Sequence, residues 1–434
     1  MHVYLVQPGD TLTAIAARYR VSPGHLVVAN DLPPTACLLP GQALYIPSRL
    51  EIPGTDGYTT YRVQAGDTAR SLSERFQIPV TWLAFCNQLE GNHLREGEIL
   101  LLPHSAERSN GAYRTKRSRF GLLRLPEPYA TPTTPRAAIE YTGVPGLIVD
   151  ETGDVTFPEV PPDAPDTPNL LICTLSDPTA AKTILQSDTT RARILHTLAT
   201  ELRHKGGDGI LFAWHRLPTK SAGTYLRFIG EAARQLQPQA LRVGLHLTGA
   251  SPLLKKKKRL RQTVDMLDHI FFEPVANPAP SGAVSLPRLQ AMAHHDYGAP
   301  LVGVDVVEKS LRAVQTILPP AKTWLVLRPC GYLMHRGKAI RKITPHHATR
   351  LALEAGMPLL REPSGELVWF RYAPEGGYSV WYEDLWNFVR KLHLLDQLKL
   401  QGLALWEQGA YMPEAWHYLS DFLEAPDDHE DPMP

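Results

Sequence analysis

The segment GGDGILFAWHRLP, residues 206–218, has the pattern of a buried strand that runs into a loop. Two groups in it could transfer a proton, the Asp208 carboxyl before the strand and the His215 imidazole after it. An imidazole has an unperturbed pKa of about 6.5, so it can act as an acid or a base near neutral pH. No carboxylate follows Asp208 in this segment. The segment therefore has the position of a reaction site but lacks the acidic pair that such sites often use.

Other predicted strand ends also carry polar or aromatic side chains. They are His246, Glu273, Arg328 and, at the last strand, Trp406 and Glu407. If the strands lie side by side in a barrel, His215, His246 and Glu273 converge. Such a group permits a metal site or a new acid–base set, but a hydrogen-bonded cluster is the simpler interpretation. We assign no metal ligand and no cofactor from the sequence.

The elements that must position these groups begin near residue 120, where short apolar segments alternate with helical patterns. This alternation is typical of an α/β domain with parallel strands. The candidate strands are residues 121–125, 146–150, 169–175, 209–214, 241–247, 269–273, 323–329 and 402–408. Eight strands predict a (β/α)8 TIM barrel with its function at the carboxyl ends of the strands. Residues 367–384 add a predicted hairpin that turns at Gly376-Gly377.

The N-terminal region contains an internal repeat. Residues 4–32 align without gaps on residues 61–89, so that Tyr4 corresponds to Tyr61, and each copy closes on an apolar segment ending in IP or LP. Period and punctuation predict the order strand, helix, helix, strand in each copy. Asp10 and Thr11, with their counterparts Asp67 and Thr68, are predicted to cap the first helix.

Each copy resembles a LysM module, because it has a YxVxxGDT opening, an Asn that ends the second helix and a final GxxLxIP-like segment. The resemblance implies a βααβ fold that binds N-acetylglucosamine-containing glycans, such as peptidoglycan or chitin, in a shallow groove. The Asp, Thr and Asn residues could instead serve only as caps and turns. Two modules on one chain would raise the effective concentration for a polymer. The groove residues implied are Gly9, Asp10, Thr11, Asn30, Asp31, Leu32, Gly66, Asp67, Thr68, Asn87, Gln88 and Leu89.

The barrel region is similar to glycoside hydrolase family 18, and with the repeats it resembles LysM-bearing, spore-associated glucosaminidases of endospore-forming bacteria. The resemblance rests on GGDGILFAWHRLP, HIFFEPVANPAPSGAVSLPRLQAM, FRYAPEGGYSVWYED and LKLQGLALWEQGAYMPEAW. It implies a DGxxxDxE motif on the fourth barrel strand. There the Glu protonates the glycosidic oxygen, and the inner Asp orients the 2-acetamido group of the substrate.

In this chain the motif keeps its opening and loses its acids. Asp208 and Gly209 match the opening, whereas Leu211 stands at the middle polar position. Ala213 replaces the inner Asp, and His215 replaces the acid Glu. Loss of both groups predicts that hydrolysis by this route is lost.

The remaining pocket assignments come from the resemblance and the strand order. Trp214 keeps the aromatic residue before the acid position, and the resemblance carries Glu273 and Trp406 over as sugar contacts. The predicted pocket residues are Trp214, His215, His246, Glu273, Arg328, Trp406 and Glu407.

These observations predict a glycan-binding protein with a catalytically degenerate barrel, a structural or recruiting component of a spore or cell wall. Two alternatives stay open. The barrel could be an active cell-wall N-acetylglucosaminidase that uses His215 or Glu273, or it could dock a protein partner.

Composition excludes several classes of protein. The 434 residues carry a formal net charge of +1, with 43% apolar and 21% charged residues, so nothing global favours nucleic acid or an anionic membrane. The sequence contains no apolar run of the roughly 18 residues that a membrane span needs. Four cysteines without a CxxC pair favour a reduced compartment over a disulfide framework.

The basic run Lys255–Arg261 could contact an anionic wall polymer or form a solvated helix start. The opening MHVYLVQPGD lacks the basic and apolar regions of a secretory signal. We therefore expect synthesis in the cytoplasm, in a mother cell, and association with the spore or cell wall. The expected divisions are module 1 (1–48), a linker (49–59), module 2 (60–104), a basic linker (105–119), the barrel (120–425) and a disordered acidic tail (426–434).

Overall fold

The structure is a computed structural model. It describes residues 2–21, 23–30, 32, 38–47, 58–76, 94, 96–97, 99–103, 119–123, 139–158, 168–274, 303–335, 338–361, 367–372, 377–406, 412, 414–415 and 418–419. The chain divides into two units, residues 1–116 with 352–359 and 413–434, and residues 117–351 with 360–412. Residues 105–118 of the predicted basic linker and the predicted acidic tail lie outside the described residues.

Unit 1 contains the two repeats, and the first has the predicted order of elements. Strand β1 (His2–Leu5) leads through helices α1 (Leu12–Tyr19) and α2 (Pro23–Ala29) to strand β2 (Ala43–Ile46). The strands β1 and β2 pair antiparallel. The apolar faces of both helices close over this small sheet, and Ile15, Leu26 and Leu44 are completely buried there.

The second repeat has the same outline. Strands β3 (Tyr58–Arg62) and β4 (Ile99–Pro103) pair antiparallel, and helix α3 (Ala69–Phe76) follows β3. Val63, Leu72 and Leu100 form its buried core. Its predicted second helix lies outside the described residues.

Unit 2 confirms the predicted (β/α)8 barrel. Its eight strands are β5 (Arg119–Leu123), β6 (Ile139–Val149), β8 (Asn169–Leu175), β9 (Gly209–Phe212), β10 (Arg242–Thr248), β11 (His269–Glu273), β12 (Thr323–Leu327) and β18 (Gly402–Trp406). All neighbouring pairs among them are parallel, and the ring closes because β5 pairs with both β18 and β6. A short strand, β7 (Val155–Thr156), adds antiparallel to β6.

The helices that alternate with these strands supply the outer layer. In chain order they are α4 (Ala181–Gln186), α5 (Asp188–Glu201), α6 (Ala222–Leu236), α7 (Lys257–Met266), α8 (Val304–Val314) and, after a further helix, α10 (Leu385–Gln397). That further helix, α9 (Pro345–Ala355), lies in the long segment between β12 and β18, and its last residues belong to unit 1. Helix α6 illustrates why they pack on the barrel, since Tyr225, Phe228 and Ile229 all lie on its buried face.

The barrel interior is a packed apolar core, not a channel. Its buried members are Tyr141, Leu170, Ile172, Leu211, Ala213, Phe271, Trp324, Val326 and Ala404. Side chains alternate between the two faces of a strand. Leu211 and Ala213 therefore face this core, while Phe212 faces outward, with its ring centre 5.7 Å from that of Phe228 on α6.

The predicted hairpin at 367–384 belongs to a larger antiparallel sheet that sequence patterns did not reveal. Strands β16 (Val368–Tyr372) and β17 (Tyr378–Tyr382) are its two paired hairpin strands. They join β13 (Gly331–His335), β14 (Lys338–Ile343) and β15 (Leu360–Arg361) in the order β14-β13-β17-β16-β15. Gly377 has a φ of 69°, as a tight turn requires, while Gly376 lies outside the described residues.

Candidate functional site

The carboxyl ends of four neighbouring strands bring four polar side chains together. His246 lies in β10, Glu273 ends β11, Arg328 follows β12, and His215 lies three residues beyond β9. Strands β9, β10, β11 and β12 are consecutive neighbours in the barrel. We call His215, His246, Glu273 and Arg328 the mouth network.

The contacts in the mouth network run from one residue to the next. His215 Nε2 lies 3.2 Å from His246 Nδ1. His246 Nε2 lies 3.3 Å from Glu273 Oε2, and this contact helps to lower the pKa of Glu273. Arg328 faces both carboxylate oxygens, with Nε 2.7 Å from Oε1 and Nη2 donating to Oε2 at 2.9 Å. The Glu273 carboxylate is therefore neutralised by a guanidinium.

The contact with Glu273 favours one arrangement of the imidazole protons, because a carboxylate only accepts. In that tautomer the neutral His246 ring carries its proton on Nε2, toward Glu273. Nδ1 of His246 is then an acceptor, and His215 must donate to it from Nε2. The other nitrogen of His215, Nδ1, is left as an acceptor on an exposed residue.

The pKa values of the network are shifted in a consistent way. Burial would raise the pKa of Glu273, but the contact with His246 and the charge of Arg328 outweigh it and lower that pKa to about 2. Burial lowers the pKa of His246. Surrounding protein and the neighbouring His246 lower the pKa of His215 to about 3, although solvent reaches this residue and works against the shift. At neutral pH the glutamate is ionised and both histidines are neutral.

This protonation pattern is opposite to that of a glycosidase acid. A general acid for glycosidic cleavage must hold its proton near neutral pH, which usually requires a raised carboxyl pKa. Glu273 has no proton to donate, and neither does a neutral His215 beyond the one it shares with His246. The network can orient a ligand. At neutral pH, however, neither Glu273 nor the two histidines hold a proton that they could donate to a glycosidic oxygen.

Directly below the mouth network, the inward-facing residues of β9 and the segment after it supply no acidic side chain. Leu211 and Ala213 are 0% and 1% exposed and belong to the apolar interior. Neither side chain offers a hydrogen-bond acceptor at this level.

The other predicted barrel residues have different outcomes. The Trp214 side chain is outside the pocket, because it faces the helix layer and stacks on Tyr225 of α6 with ring centres 4.9 Å apart. Asp208 lies at the opposite end of the barrel, where it accepts from the Asn169 backbone N–H at 2.9 Å and joins two strands. Trp406 ends β18, but its side chain and Glu407 lie outside the described residues.

In the modules, the helix caps are the threonines and not the aspartates. Thr11 Oγ1 accepts from Ala14 N at 3.2 Å, and Thr68 Oγ1 accepts from Ser71 N at 3.0 Å. Both threonines are exposed, as are Gly9 and Gly66, which have φ values of 86° and 87°. Among the described residues of the predicted groove, this turn is open to a ligand.

The aspartates instead tie the turn to the first strand. Asp10 Oδ2 accepts from Tyr4 OH at 2.6 Å and from Gln7 N at 2.8 Å. These hydrogen bonds lower the pKa of Asp10. The equivalent Asp67 accepts from Tyr61 OH and Gln64 N, both at 2.7 Å. The proposed cap role for the aspartates is therefore wrong, because their oxygens are used behind the turn.

The structure places Asn30 and Leu32 inside the first module, not in a groove. Asn30 Nδ2 donates to the carbonyls of Leu26 and Tyr45 at 2.8 Å each, and its Oδ1 accepts from Tyr45 N at 2.6 Å. Both residues are 7% exposed. The Asn30 amide thus pins α2 to β2 and has no free atom for a glycan. Asp31, Asn87, Gln88 and Leu89 lie outside the described residues.

Sequence reasoning missed a tyrosine–arginine contact in each module. Arg18 donates to Tyr4 OH at 2.8 Å, and Arg75 donates to Tyr61 OH at 3.3 Å. Each guanidinium also lies over the tyrosine ring, 5.4 Å and 5.6 Å from its centre. The signal was available, since both residue types recur at the spacing of the repeat.

Two further findings concern the described part of the chain. No group of three or more His, Cys, Asp or Glu side chains there is placed to hold a metal ion. In the mouth network the reason is geometric, because the two imidazoles direct nitrogens at each other. No described helix is long and apolar enough to cross a membrane.

Comparison with known proteins agrees with this architecture. The family model for the LysM domain matches residues 4–47 and 61–103, the two repeats. The cortical fragment-lytic enzyme of Bacillus subtilis (strain 168) is 24% identical over 452 residues, which cover 97% of this chain and 98% of that protein.

Solved structures extend the likeness to the barrel. The spore cortex-lytic enzyme SleL of Bacillus megaterium QM B1551 has a TM-score of 0.68 at 20% identity, covering 96% of this chain and 97% of that chain. A chitinase from Chromobacterium violaceum ATCC 12472 has a TM-score of 0.58 at 16% identity, covering 71% of this chain and all (100%) of its own. The protein therefore combines two LysM domains with a barrel of the family 18 chitinase fold.

We expect Asn30→Ala to lower the free energy of unfolding of the first LysM domain by about 2–4 kcal/mol, because the buried Tyr45 N–H and carbonyl lose their partner. Thermal unfolding followed by hydrogen exchange of this domain measures the effect, with the exposed Thr13→Ala as control. Folded Asn30→Ala protein should still be retained on peptidoglycan in the cold. Unchanged stability with lost retention would instead assign Asn30 to glycan contact.

We expect the barrel to lose stability as pH falls below about 6.5. Lowered pKa values mean that the folded state binds fewer protons than the unfolded chain, so the stabilising effect is complete above the unfolded pKa and declines below it. As the pH falls, the histidines lower the free energy of unfolding first. His246 contributes up to about 1.4 kcal/mol per pH unit, and the solvent-exposed His215 contributes less. Protonation of Glu273 lowers the stability further as the pH falls from its ordinary pKa of 4.5 to its lowered pKa of about 2.

Urea unfolding between pH 7 and pH 4.5 measures this dependence. His246→Gln should flatten it, whereas the exposed His196→Gln on α5 should leave it unchanged. An equal slope in His246→Gln and in the unmodified protein would contradict the assignment.

Proposed function

We propose that this protein binds N-acetylglucosamine-containing wall glycans, of the peptidoglycan or chitin type, and holds them without hydrolysing them. The LysM domains tether the chain to the polymer, and the barrel mouth offers a second, non-catalytic contact. Relatives named as spore cortex-lytic and cortical fragment-lytic enzymes support a place in the spore or cell wall.

The observation that carries the proposal is the geometry of the mouth network. Its one carboxylate, Glu273, is paired with Arg328 and has a pKa of about 2. His215 stands where the family's acid would be, and its lowered pKa leaves it neutral. Each missing acid–base or electrostatic contribution typically costs at least ~10²-fold in rate, and here both are missing.

The same geometry supports a binding role. His215 presents an acceptor nitrogen that is fixed by its bond to His246, and fixed polar groups at a recessed mouth suit the hydroxyl and amide hydrogens of a sugar. Ordering this acceptor before the ligand arrives reduces the entropy lost on binding.

Hydrolysis is tested with N-acetylglucosamine oligosaccharides and cortex muropeptides. The unmodified protein should show no turnover above buffer, because neither His215 nor Glu273 can supply a proton. An Ala213→Asp/His215→Glu double variant restores both replaced groups, so any gain of turnover should appear there first.

Circular dichroism must show that the double variant is folded, because Ala213 lies in the apolar core; His215→Glu alone is the milder companion. Turnover by the unmodified protein that disappears in His215→Ala or Glu273→Gln, and persists in His196→Ala, would overturn the proposal in favour of an active glycosidase.

Tethering is tested by blocking the exposed turns in the full chain. Pro8→Trp and Ala65→Trp each place a large ring over one turn. Either change should weaken retention on insoluble peptidoglycan by more than about tenfold, because it removes the avidity of two linked sites. The double variant should lose retention by this route altogether. Retention of the double variant equal to that of the exposed-surface control Lys205→Trp would contradict binding through these turns.

A further inference from the structure

Two neighbouring loops at the barrel mouth carry a concentration of positive charge. Residues 213–221 link β9 to α6, and residues 249–256 link β10 to α7. In a parallel barrel these loops lie at the same end as the mouth network. The starts of the two helices are also adjacent, because Arg259 of α7 donates to the carbonyl of Gly223 in α6 at 3.1 Å.

The cations in this region are exposed and are not neutralised. Neither loop contains an aspartate or a glutamate. Within the described residues, no carboxylate forms an ion pair with any of them. We call this surface the mouth rim; its members are Arg216, Lys220, Lys255, Lys256, Lys257 and Lys258.

The basic run Lys255–Arg261 therefore divides into two parts. Arg259 and Arg261 are held by backbone carbonyls, of Gly223 and Thr316 respectively, and help to dock α7. The four lysines before them have no such contact among the described residues. The arginines serve packing, while the lysines remain available to a ligand.

These lysines do not help the fold. Positive charge at the start of a helix opposes the helix dipole, and α7 has no acidic residue in its first turn. Like charges on neighbouring turns also repel one another. A local arrangement that lowers stability without compensation inside the chain is expected where a surface serves binding.

The position of the mouth rim limits what it can bind. A glycan held at the mouth network extends its substituents over the adjoining loops. A neutral N-acetylglucosamine polymer has no anion to offer there, whereas peptidoglycan carries the carboxylates of its lactyl-linked peptides. Complementary charge at a rim adds modest affinity and much discrimination.

We propose that the mouth rim selects acidic, peptidoglycan-type glycan over neutral chitin by contacting its carboxylates. This inference rests on the proposed glycan-binding function and specifies which glycan the barrel prefers. The LysM domains, in contrast, contribute to the binding of both polymers.

The test compares retention of the full chain on purified peptidoglycan and on chitin over a range of salt concentrations. K255Q/K256Q/K257Q/K258Q should bind peptidoglycan at least about tenfold more weakly at low salt, since an exposed ion pair is worth a factor of roughly two and the variant removes four cations. Its binding to chitin should not change. Salt should weaken the binding of the unmodified protein to peptidoglycan much more than its binding to chitin.

The matched control is K205Q/R227Q/K309Q/K399Q, which removes the same charge from exposed positions outside the two loops. It should leave the preference intact. An unchanged preference in the rim variant, an equal loss in the control, or retention of duplex DNA as tight as that of peptidoglycan would each overturn the inference while chitin binding persists. Failure to bind either polymer would overturn the proposed function as well.

Discussion

Side chains on a strand of a closed barrel must alternate between the interior and the helix layer, and this constraint governs the whole candidate site. On β9 and the residues after it, Leu211, Ala213 and His215 take the inner positions, while Phe212 and Trp214 pack outward. The interior is filled with apolar side chains up to the level of Ala213. The mouth network lies in the layer above it, while the buried His269 is held inside the barrel by a hydrogen bond from Trp324 Nε1. A residue such as Trp214 cannot join that layer, whatever its chemical suitability for sugar.

Charge in that layer is arranged to keep a carboxylate ionised. An apolar pocket would raise the pKa of Glu273 and make it an acid, but Arg328 faces both oxygens and reverses the effect. The cost of burying the Glu273 carboxylate is offset by the charge of Arg328, and His246 contacts the same carboxylate. Because His246 is fixed by Glu273, it fixes His215 in turn. The network orders His215 through its contact with His246.

Sequence patterns predicted the barrel well, because the alternation of short apolar segments with helical patterns is a strong local signal. The strand boundaries at 169–175 and 269–273 agree to the residue, and the convergence of His215, His246 and Glu273 follows directly from strand order. The failures concern tertiary contacts that leave no local trace. Asn30 looks the same in sequence whether its amide meets a sugar or the backbone of Tyr45. Only one hairpin of the antiparallel sheet was predicted, because β13 and β14 come earlier in the chain and β15 has only two residues.

In the first LysM domain the described groove residues are largely used by the fold. Asp10 is bound to a tyrosine, Asn30 is buried, and Thr11 caps a helix. Among the described residues of both domains an exposed glycine turn stays open, and one such turn is a small contact for a glycan. Under the proposed function, affinity must then come from linking weak sites on one polymer, and discrimination must come from elsewhere. The barrel mouth can supply that discrimination, because it is the described surface where fixed acceptors and unneutralised cations occur together.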